Sequence, residues 1–213
     1  MKTDDLVSLL ATGAGRVERH AAPRRYAAAI AVGVVAAALL MLGLLGVRPD
    51  LADATQLPMF WAKIGYVGSL AVASLLAVVR LSLPGAHLDR VLIALAVPVV
   101  AMWALAAYVL ADAAPGERMG LVLGATWAVC PFLIAMLSVP MFAATLWVMR
   151  SLAPTRLPLA GAAAGLLSGT IGGMVYCLHC PEMAAPFIGT WYLIGMLIPA
   201  AAGALLGPRL LRW

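Results

Sequence analysis

The sequence predicts an all-α membrane protein with six transmembrane helices and both termini in the cytoplasm. Three observations predict this fold. Of the 213 residues, 64% are hydrophobic and only 11% are charged, whereas soluble domains average about half apolar and a quarter charged residues. Six apolar runs are long enough to cross a bilayer, and the basic residues gather on one side of them. A water-soluble globule of this composition would expose most of its apolar surface, so the soluble classes are excluded.

The six apolar runs divide the chain into its parts. A hydrocarbon core about 30 Å thick takes about 20 helical residues to cross. Six runs bounded by charged or turn residues meet this length, at residues 26–47, 57–79, 91–111, 119–149, 157–177 and 186–207. The fourth run is longer than a simple span and contains Pro131 and Pro140, so we expect a kink, a tilt or a first turn at the interface. These runs predict three parts. They are a cytoplasmic N-terminal segment at residues 1–25, a transmembrane bundle at residues 26–207 and a cytoplasmic tail at residues 208–213.

The distribution of Lys and Arg predicts the orientation. Basic residues are retained on the cytoplasmic side of short loops. Eleven of the 14 basic residues lie on the side that holds the N-terminus, and the other three are Arg48, Lys63 and Arg118. The formal charge of +5 is therefore a topology signal rather than a nucleic-acid-binding surface. Lys63 lies near the outer end of the second run, and we expect its side chain to extend to the interface.

The first ten residues are a candidate docking helix. Thr3 can cap this helix, and Asp4 and Asp5 in its first turn favour the helix dipole. Three leucines then fall on one face, namely Leu6, Leu9 and Leu10. This face either rests on the membrane or on the bundle, or binds a cytosolic partner.

Glycines recur at every fourth position of the fifth run. They are Gly161, Gly165, Gly169 and Gly173. Glycines on one helix face let a second backbone approach closely, which is how helices associate in lipid. We expect this stripe to pack inside the bundle, and a homodimer interface is the alternative.

A short motif after the fifth run carries several groups with soft or titratable chemistry. Cys177, His179, Cys180 and Glu182 lie within six residues at the predicted outer end. Thiolate and imidazole groups suit thiophilic metals, and the C-x-x-C spacing also suits dithiol redox chemistry. Cys130 in the fourth run could approach this motif. The alternative for all three cysteines is inert apolar packing.

Several function classes lack their signatures in the sequence. Ionisable residues are missing from the middle of the spans, which weakens a proton-coupled transporter. There is no P-loop, GxSxG, HExxH, paired catalytic carboxylates or paired intramembrane histidines for haem. We therefore expect no enzyme and no cofactor. Two alternatives use the same cysteines, namely a membrane thiol oxidoreductase and a metal-handling transporter, and a third alternative is a structural bundle without sensing.

Four stretches of the chain resemble one known family. They are MKTDDLVSLLA at the start, YCLHCPE and FIGTWYLIGM near the sixth run, and GPRLLRW at the end. Together they resemble the NrsF-like family of six-span bacterial inner-membrane proteins. That family acts as anti-sigma factors toward extracytoplasmic-function sigma factors of the sigma F type.

The resemblance implies roles for the N-terminal segment and for two cysteines. The N-terminal segment, including Thr3, Asp4, Asp5, Leu6, Leu9 and Leu10, would hold the sigma factor at the membrane, without direct contact to nucleic acid. Periplasm-facing Cys130 and Cys180 would sense oxidants or heavy metals such as chromate or cadmium, and would bind a metal ion only transiently, as a signal. His179, Glu182 and Cys177 are possible helpers. Cys177 departs from the family pattern, which has a small apolar residue at this position.

Overall fold

Helices account for most of the described chain. A computed structural model describes residues 3–13, 21–82, 88–152 and 154–212, apart from the side chains of 9–11 and 21–23. These ranges contain helices, turns and connections but no strand. The predicted all-α fold is confirmed.

Within these described ranges, six helices are long and apolar enough to cross a membrane, which confirms the number that the sequence predicts. We number them as the first to sixth long helices. In chain order they are Ala21–Leu44, Pro58–Leu81, Asp89–Asp112, Cys130–Arg150, Leu157–Tyr176 and Ala185–Leu210. Helix Thr3–Gly13 precedes them, and short helices Leu51–Ala54 and Arg118–Leu123 lie in the connections. The sixth long helix contains one π-helical turn, Ile188–Tyr192.

The fourth predicted run is broken more sharply than a kink. Residues 119–149 do not form one helix, because the short helix Arg118–Leu123 is followed by a turn at residues 124–129. Gly124 ends the short helix with φ +57, a backbone conformation that favours glycine. Pro131 lies in the first turn of the next helix, where its missing N–H costs nothing. Cys130 therefore begins the fourth long helix instead of lying within it.

The fifth long helix lies at the centre of the bundle. It packs against the second, fourth and sixth long helices, and it is the most deeply buried of the six. Small residues allow this placement, because a helix with little side-chain volume fits between three neighbours. One end of the bundle holds the cysteines, and we refer to it below as the cysteine end.

The glycine stripe of the fifth long helix faces the sixth long helix. A Cβ atom on Gly161 would overlap the carbonyl of Gly203, and one on Gly165 would overlap the carbonyl of Pro199. A Cβ atom on Gly169 would lie 2.7 Å from the carbonyl oxygen of Met196. Gly173 has more room, since its Cβ would lie 3.5 Å from the nearest side-chain atom. The first three glycines of the stripe therefore form a backbone-to-backbone contact inside this chain, whereas Gly173 meets side chains, the nearest of which is Val67.

Replacing Gly165 by Ala should destabilise the bundle. The added methyl meets backbone atoms that cannot move aside, and overpacking of this kind costs about 1–3 kcal/mol or more. Gly65→Ala is the matched control, because Gly65 is also helical but a Cβ atom there would have no neighbour within 4 Å. Thermal unfolding of the purified chain measures both variants. Equal midpoints for the two would contradict the close packing at Gly165.

The described part of the N-terminal helix is Thr3–Gly13, and a start at Thr3 stays a prediction. Thr3, Asp4 and Asp5 are exposed, and so are the apolar side chains of Leu6 and Val7, by 43% and 59%. The side chains of Leu9 and Leu10 lie outside the described part of the structure. Of the three leucines on the predicted apolar face, Leu6 is the one with a described side chain, and that side chain is exposed.

Candidate functional site

Three thiols lie together at the cysteine end. Cys130 begins the fourth long helix, and Cys177 and Cys180 follow the end of the fifth. All three side chains are fully buried, and none forms a disulfide. Cys130 and Cys180 belong to one buried cluster, and their side chains interact although they come from different segments of the chain. The structure thus places Cys130 next to the motif that the sequence singled out.

Local backbone chemistry places Cys180. The backbone N–H groups of His179 and Cys180 both donate to the carbonyl of Tyr176, each at 3.0 Å, which closes a tight turn after the fifth long helix. Pro181 then prevents the helix from continuing, because the residue before a proline is disfavoured in the helical region. The chain runs without regular structure from Cys180 to Ala184 before the sixth long helix begins. Cys180 therefore lies in a connection and faces Cys130.

Lys63 does not extend to an interface, so the prediction for this residue is wrong. Its side chain is fully buried. The Nζ atom donates to the carbonyl oxygens of Cys180 at 3.1 Å and of Glu182 at 3.0 Å. It also lies 5.2 Å from the ring centroid of Tyr192, within the range of a cation–π interaction. A buried charge is costly unless it has polar partners, and this ammonium finds them in the cysteine connection.

Arg48 holds the same connection from the loop after the first long helix. Its Nη1 atom donates to the carbonyl of Cys180 at 3.2 Å, and its backbone N–H donates to the carbonyl of Leu178 at 3.1 Å. Its guanidinium also makes a bidentate contact with Asp50, at 2.7 and 2.6 Å. This hydrogen-bonded pairing lowers the pKa of the Asp50 carboxyl. The charge of Arg48 is therefore compensated by Asp50.

The surroundings shift the pKa values of the Cys177 and Cys180 thiols in opposite directions. The interaction with the Cys130 side chain and, more weakly, the positive charge of Lys63 lower the pKa of Cys180, although burial acts in the opposite sense. Burial raises the pKa of Cys177 to about 12. The thiolate is the nucleophilic and metal-binding form of cysteine. Cys180 therefore ionises more readily than Cys177, and the Cys130 side chain is its neighbour.

Aromatic side chains close the site on its inner side. Tyr192, in the π-helical turn, lies 5.8 Å from the ring of Tyr176, and the two are fully or almost fully buried. The hydroxyl of Tyr192 neighbours the Cys177 and Cys180 thiols but has no hydrogen-bond partner of normal geometry. Single π-helical turns occur often at functional sites. This turn brings Tyr192 to the thiols.

Two of the three predicted helper residues, His179 and Glu182, contact neighbouring loops and not the thiols. The Nδ1 atom of His179 lies 2.9 Å from the carbonyl oxygen of Gly46. The Glu182 carboxylate accepts from the backbone N–H of Ala125 at 2.7 Å and from the hydroxyl of Thr126 at 3.3 Å. Both side chains thus connect the cysteine connection to neighbouring loops.

The arrangement suits dithiol chemistry better than a resident metal. Among the described residues, no group of three or more His, Cys, Asp or Glu side chains could hold a metal ion. Two adjacent thiols can form a disulfide or offer two soft ligands to a thiophilic ion.

Sequence reasoning missed Lys63, Arg48 and Tyr192. Lys63 could have been found, because it is the one basic residue well inside an apolar run, and such residues face the protein interior by default. Arg48 and Tyr192 carried no local signal.

Comparison with known proteins identifies the family of this chain. The sequence model of the NrsF family, negative regulator of sigma F, matches residues 10–213. The chain belongs to the NrsF family. Members of this family are regulators and not enzymes.

Two relatives match over the full length of both chains. A probable anti-sigma-F factor of Azospira oryzae is 61% identical over 213 residues. An anti-sigma-F factor of Caulobacter vibrioides is 45% identical over 215 residues. Both alignments include the N-terminal helix, most of which precedes the range matched by the family model. No solved structure matches the chain.

Proposed function

We propose that this chain is an anti-sigma factor embedded in the bacterial inner membrane. Its cytoplasmic N-terminal segment holds an extracytoplasmic-function sigma factor of the sigma F type. It releases that partner when periplasm-facing Cys130 and Cys180 react with a heavy-metal ion or an oxidant. The observation that carries the sensing step is the contact between two buried thiols from different segments, next to the buried ammonium of Lys63.

The surface of the bundle supports placement in a bilayer. Large apolar side chains are exposed along the long helices, among them Val100 by 64%, Trp147 by 72% and Leu205 by 77%. Apolar patches of this extent are rare on soluble monomers, and lipid would cover them. The excess of Lys and Arg on the N-terminal side supports cytoplasmic termini, which puts the cysteine end in the periplasm.

The N-terminal helix supports docking of a partner. Leu6 and Val7 are exposed beside the acidic first turn formed by Asp4 and Asp5. An apolar stripe on a short helix is a common recognition element for a groove in another protein. Relatives that carry the name anti-sigma-F factor align with this chain over the same segment.

Tight helix contacts offer a route from the thiols to the docking segment. A Cβ atom on Gly172 would lie 2.7 Å from the carbonyl oxygen of Ile134, so the fourth and fifth long helices touch through their backbones. The fourth long helix also meets the first, where a Cβ atom on Gly33 would lie 3.0 Å from the Cα atom of Met141. A shift of the fourth long helix would therefore reach the helix that follows the docking segment. Such coupling requires two arrangements that differ in affinity for the sigma factor.

Removing residues 1–20 should abolish binding of the sigma factor. We expect the partner to co-purify with the full chain and to be absent from the truncated one, and target genes should be active without stress. Leu6→Asp should act in the same direction, because it places a charge on the apolar face. Ser8→Asp is the matched control, since it adds the same charge to another face of the same helix.

Two results would contradict the proposal. Target genes that stay silent after the truncation, with the sigma factor present, would exclude docking through this segment. Labelling experiments that place Met1 and the Cys180 connection on the same side of the membrane would exclude transmembrane signalling.

A further inference from the structure

Glu182 joins the two segments that carry the reactive thiols. Its backbone lies in the cysteine connection, two residues after Cys180, and its carbonyl accepts from Lys63 at 3.0 Å. Its carboxylate points to the turn at residues 124–129 that precedes Cys130. There it accepts from the N–H of Ala125 at 2.7 Å and from the hydroxyl of Thr126 at 3.3 Å.

The turn that Glu182 contacts determines where the fourth long helix begins. The carbonyl of Thr126 accepts from the backbone N–H groups of Val129 at 3.1 Å and Cys130 at 2.9 Å. Thr126 therefore accepts a hydrogen bond from the N–H of Cys130 through its carbonyl and donates one from its hydroxyl to Glu182. A displacement of Thr126 would move Cys130 directly.

Gly124 shows how closely the carboxylate fits against this turn. Its φ of +57 favours glycine, and a Cβ atom there would lie 2.7 Å from the Oε2 atom of Glu182. Oε1 thus accepts the hydrogen bonds while Oε2 lies against the glycine. The carboxylate fills a position that the backbone of the turn leaves open for it.

We propose that Glu182 is a positioning residue that ties the Cys180 connection to the turn before Cys130 and so keeps the two thiols in contact. The role in sensing rests on the function proposed above. Apart from the thiol contact itself, the Glu182 hydrogen bonds are the side-chain bonds that join these two segments in the described part of the chain. Lys63 and Arg48 hold the same connection through its carbonyls.

This role can be tested by measuring the effective concentration of the two thiols, which is the tendency of Cys130 and Cys180 to form a disulfide relative to glutathione. In a Cys177→Ala background, the purified full-length chain is equilibrated with reduced and oxidised glutathione. The two protein thiols and one glutathione disulfide give one Cys130–Cys180 disulfide and two reduced glutathione molecules. The position of this equilibrium reports how closely the protein holds the thiols together.

Glu182→Ala should lower this effective concentration about tenfold or more, which corresponds to about 1.4 kcal/mol. Glu182→Gln keeps an oxygen acceptor in the same place and should restore most of the parent value. Asp53→Ala is the matched control, because it removes an exposed carboxylate from the connection after the first long helix. An unchanged equilibrium in Glu182→Ala, an equal loss in Glu182→Gln, or an equal loss in Asp53→Ala would overturn the proposal.

A second measurement covers the case in which Glu182→Ala does not fold. Thr126→Val removes one of the two groups that donate to the carboxylate and should lower the effective concentration less than Glu182→Ala. If Glu182 acts through Thr126, the double variant should lose less than the sum of the single losses. Strict additivity would contradict a shared contact. These measurements need no sigma factor, so their failure is distinct from failure of the proposed signalling function in cells.

Discussion

Cys180→Ser should keep the sigma factor bound during heavy-metal or oxidant stress. A serine hydroxyl neither forms a disulfide nor binds soft metal ions as a thiolate does, so the response should fall to the unstressed level. The site should otherwise stay intact, because Lys63 and Arg48 donate to the backbone carbonyl of residue 180 and not to its side chain. A reporter gene controlled by the sigma factor, measured with and without stress, shows the effect.

The other two cysteines make this result specific. Cys130→Ser should lose the response as completely, because Cys130 is the second thiol beside Cys180 and a disulfide or a two-thiol metal site needs both. Cys177→Ala should keep it, since the high pKa of Cys177 leaves it protonated at neutral pH. Full induction in both serine variants would remove the two cysteines from the sensing mechanism. If the response is lost in Cys177→Ala but kept in both serine variants, the sensor is Cys177 and not the Cys130–Cys180 pair.

Lys63→Met should shift the ionisation of Cys180 to higher pH. The ammonium of Lys63 is among the groups that lower the pKa of Cys180, and its removal leaves burial less opposed. Each unit of increase means about tenfold less thiolate at a pH below both values. Ultraviolet thiolate absorption in a Cys177→Ala background, with Cys180→Ser as the blank, measures the shift as a function of pH. This readout needs only protons to reach the buried thiol.

Arg48→Met distinguishes the effect of the Lys63 charge on the Cys180 pKa from the effect of the position of the cysteine connection. Arg48 donates to the same carbonyl as Lys63, but Asp50 already neutralises its guanidinium. We therefore expect a smaller change in the Cys180 pKa than for Lys63→Met. Lys63→Gln keeps a donor without the charge and should behave like Lys63→Met. Equal shifts in the Arg48 and Lys63 variants would mean that the position of the connection, and not the charge of Lys63, decides the thiol state.

The part of the fold that could be predicted from the sequence is the part with a local cause. Six long helices follow from hydropathy and length, because each helix satisfies its own backbone groups and needs no partner to be recognised. The helix Thr3–Gly13 likewise lies where the acidic residues and the leucines after them predict one. The break before Cys130 was only partly predicted, since Pro131 marked a disturbance but the turn at Gly124 showed no clear signal.

The sequence could not predict which residues contact each other across the bundle. The glycine stripe predicted a close neighbour but could not show that this neighbour is the backbone of Gly203 and Pro199. Lys63 was assigned to an interface because a lysine near a helix end usually reaches water. The structure buries it, because the cysteine connection supplies two carbonyl oxygens that come from distant positions in the sequence.

The sequence by itself determined an all-helical chain with six long apolar helices, a charge asymmetry and the residues Cys130, Cys177 and Cys180. Only the tertiary structure decided that Cys130 contacts Cys180, that Lys63 lies next to them and that Glu182 reaches Thr126. The physical reason is that hydrophobic length acts within one helix, whereas a thiol pair depends on how three connections meet at the cysteine end. Those meetings are determined by backbone carbonyls and close helix packing, which leave no periodic pattern in the sequence.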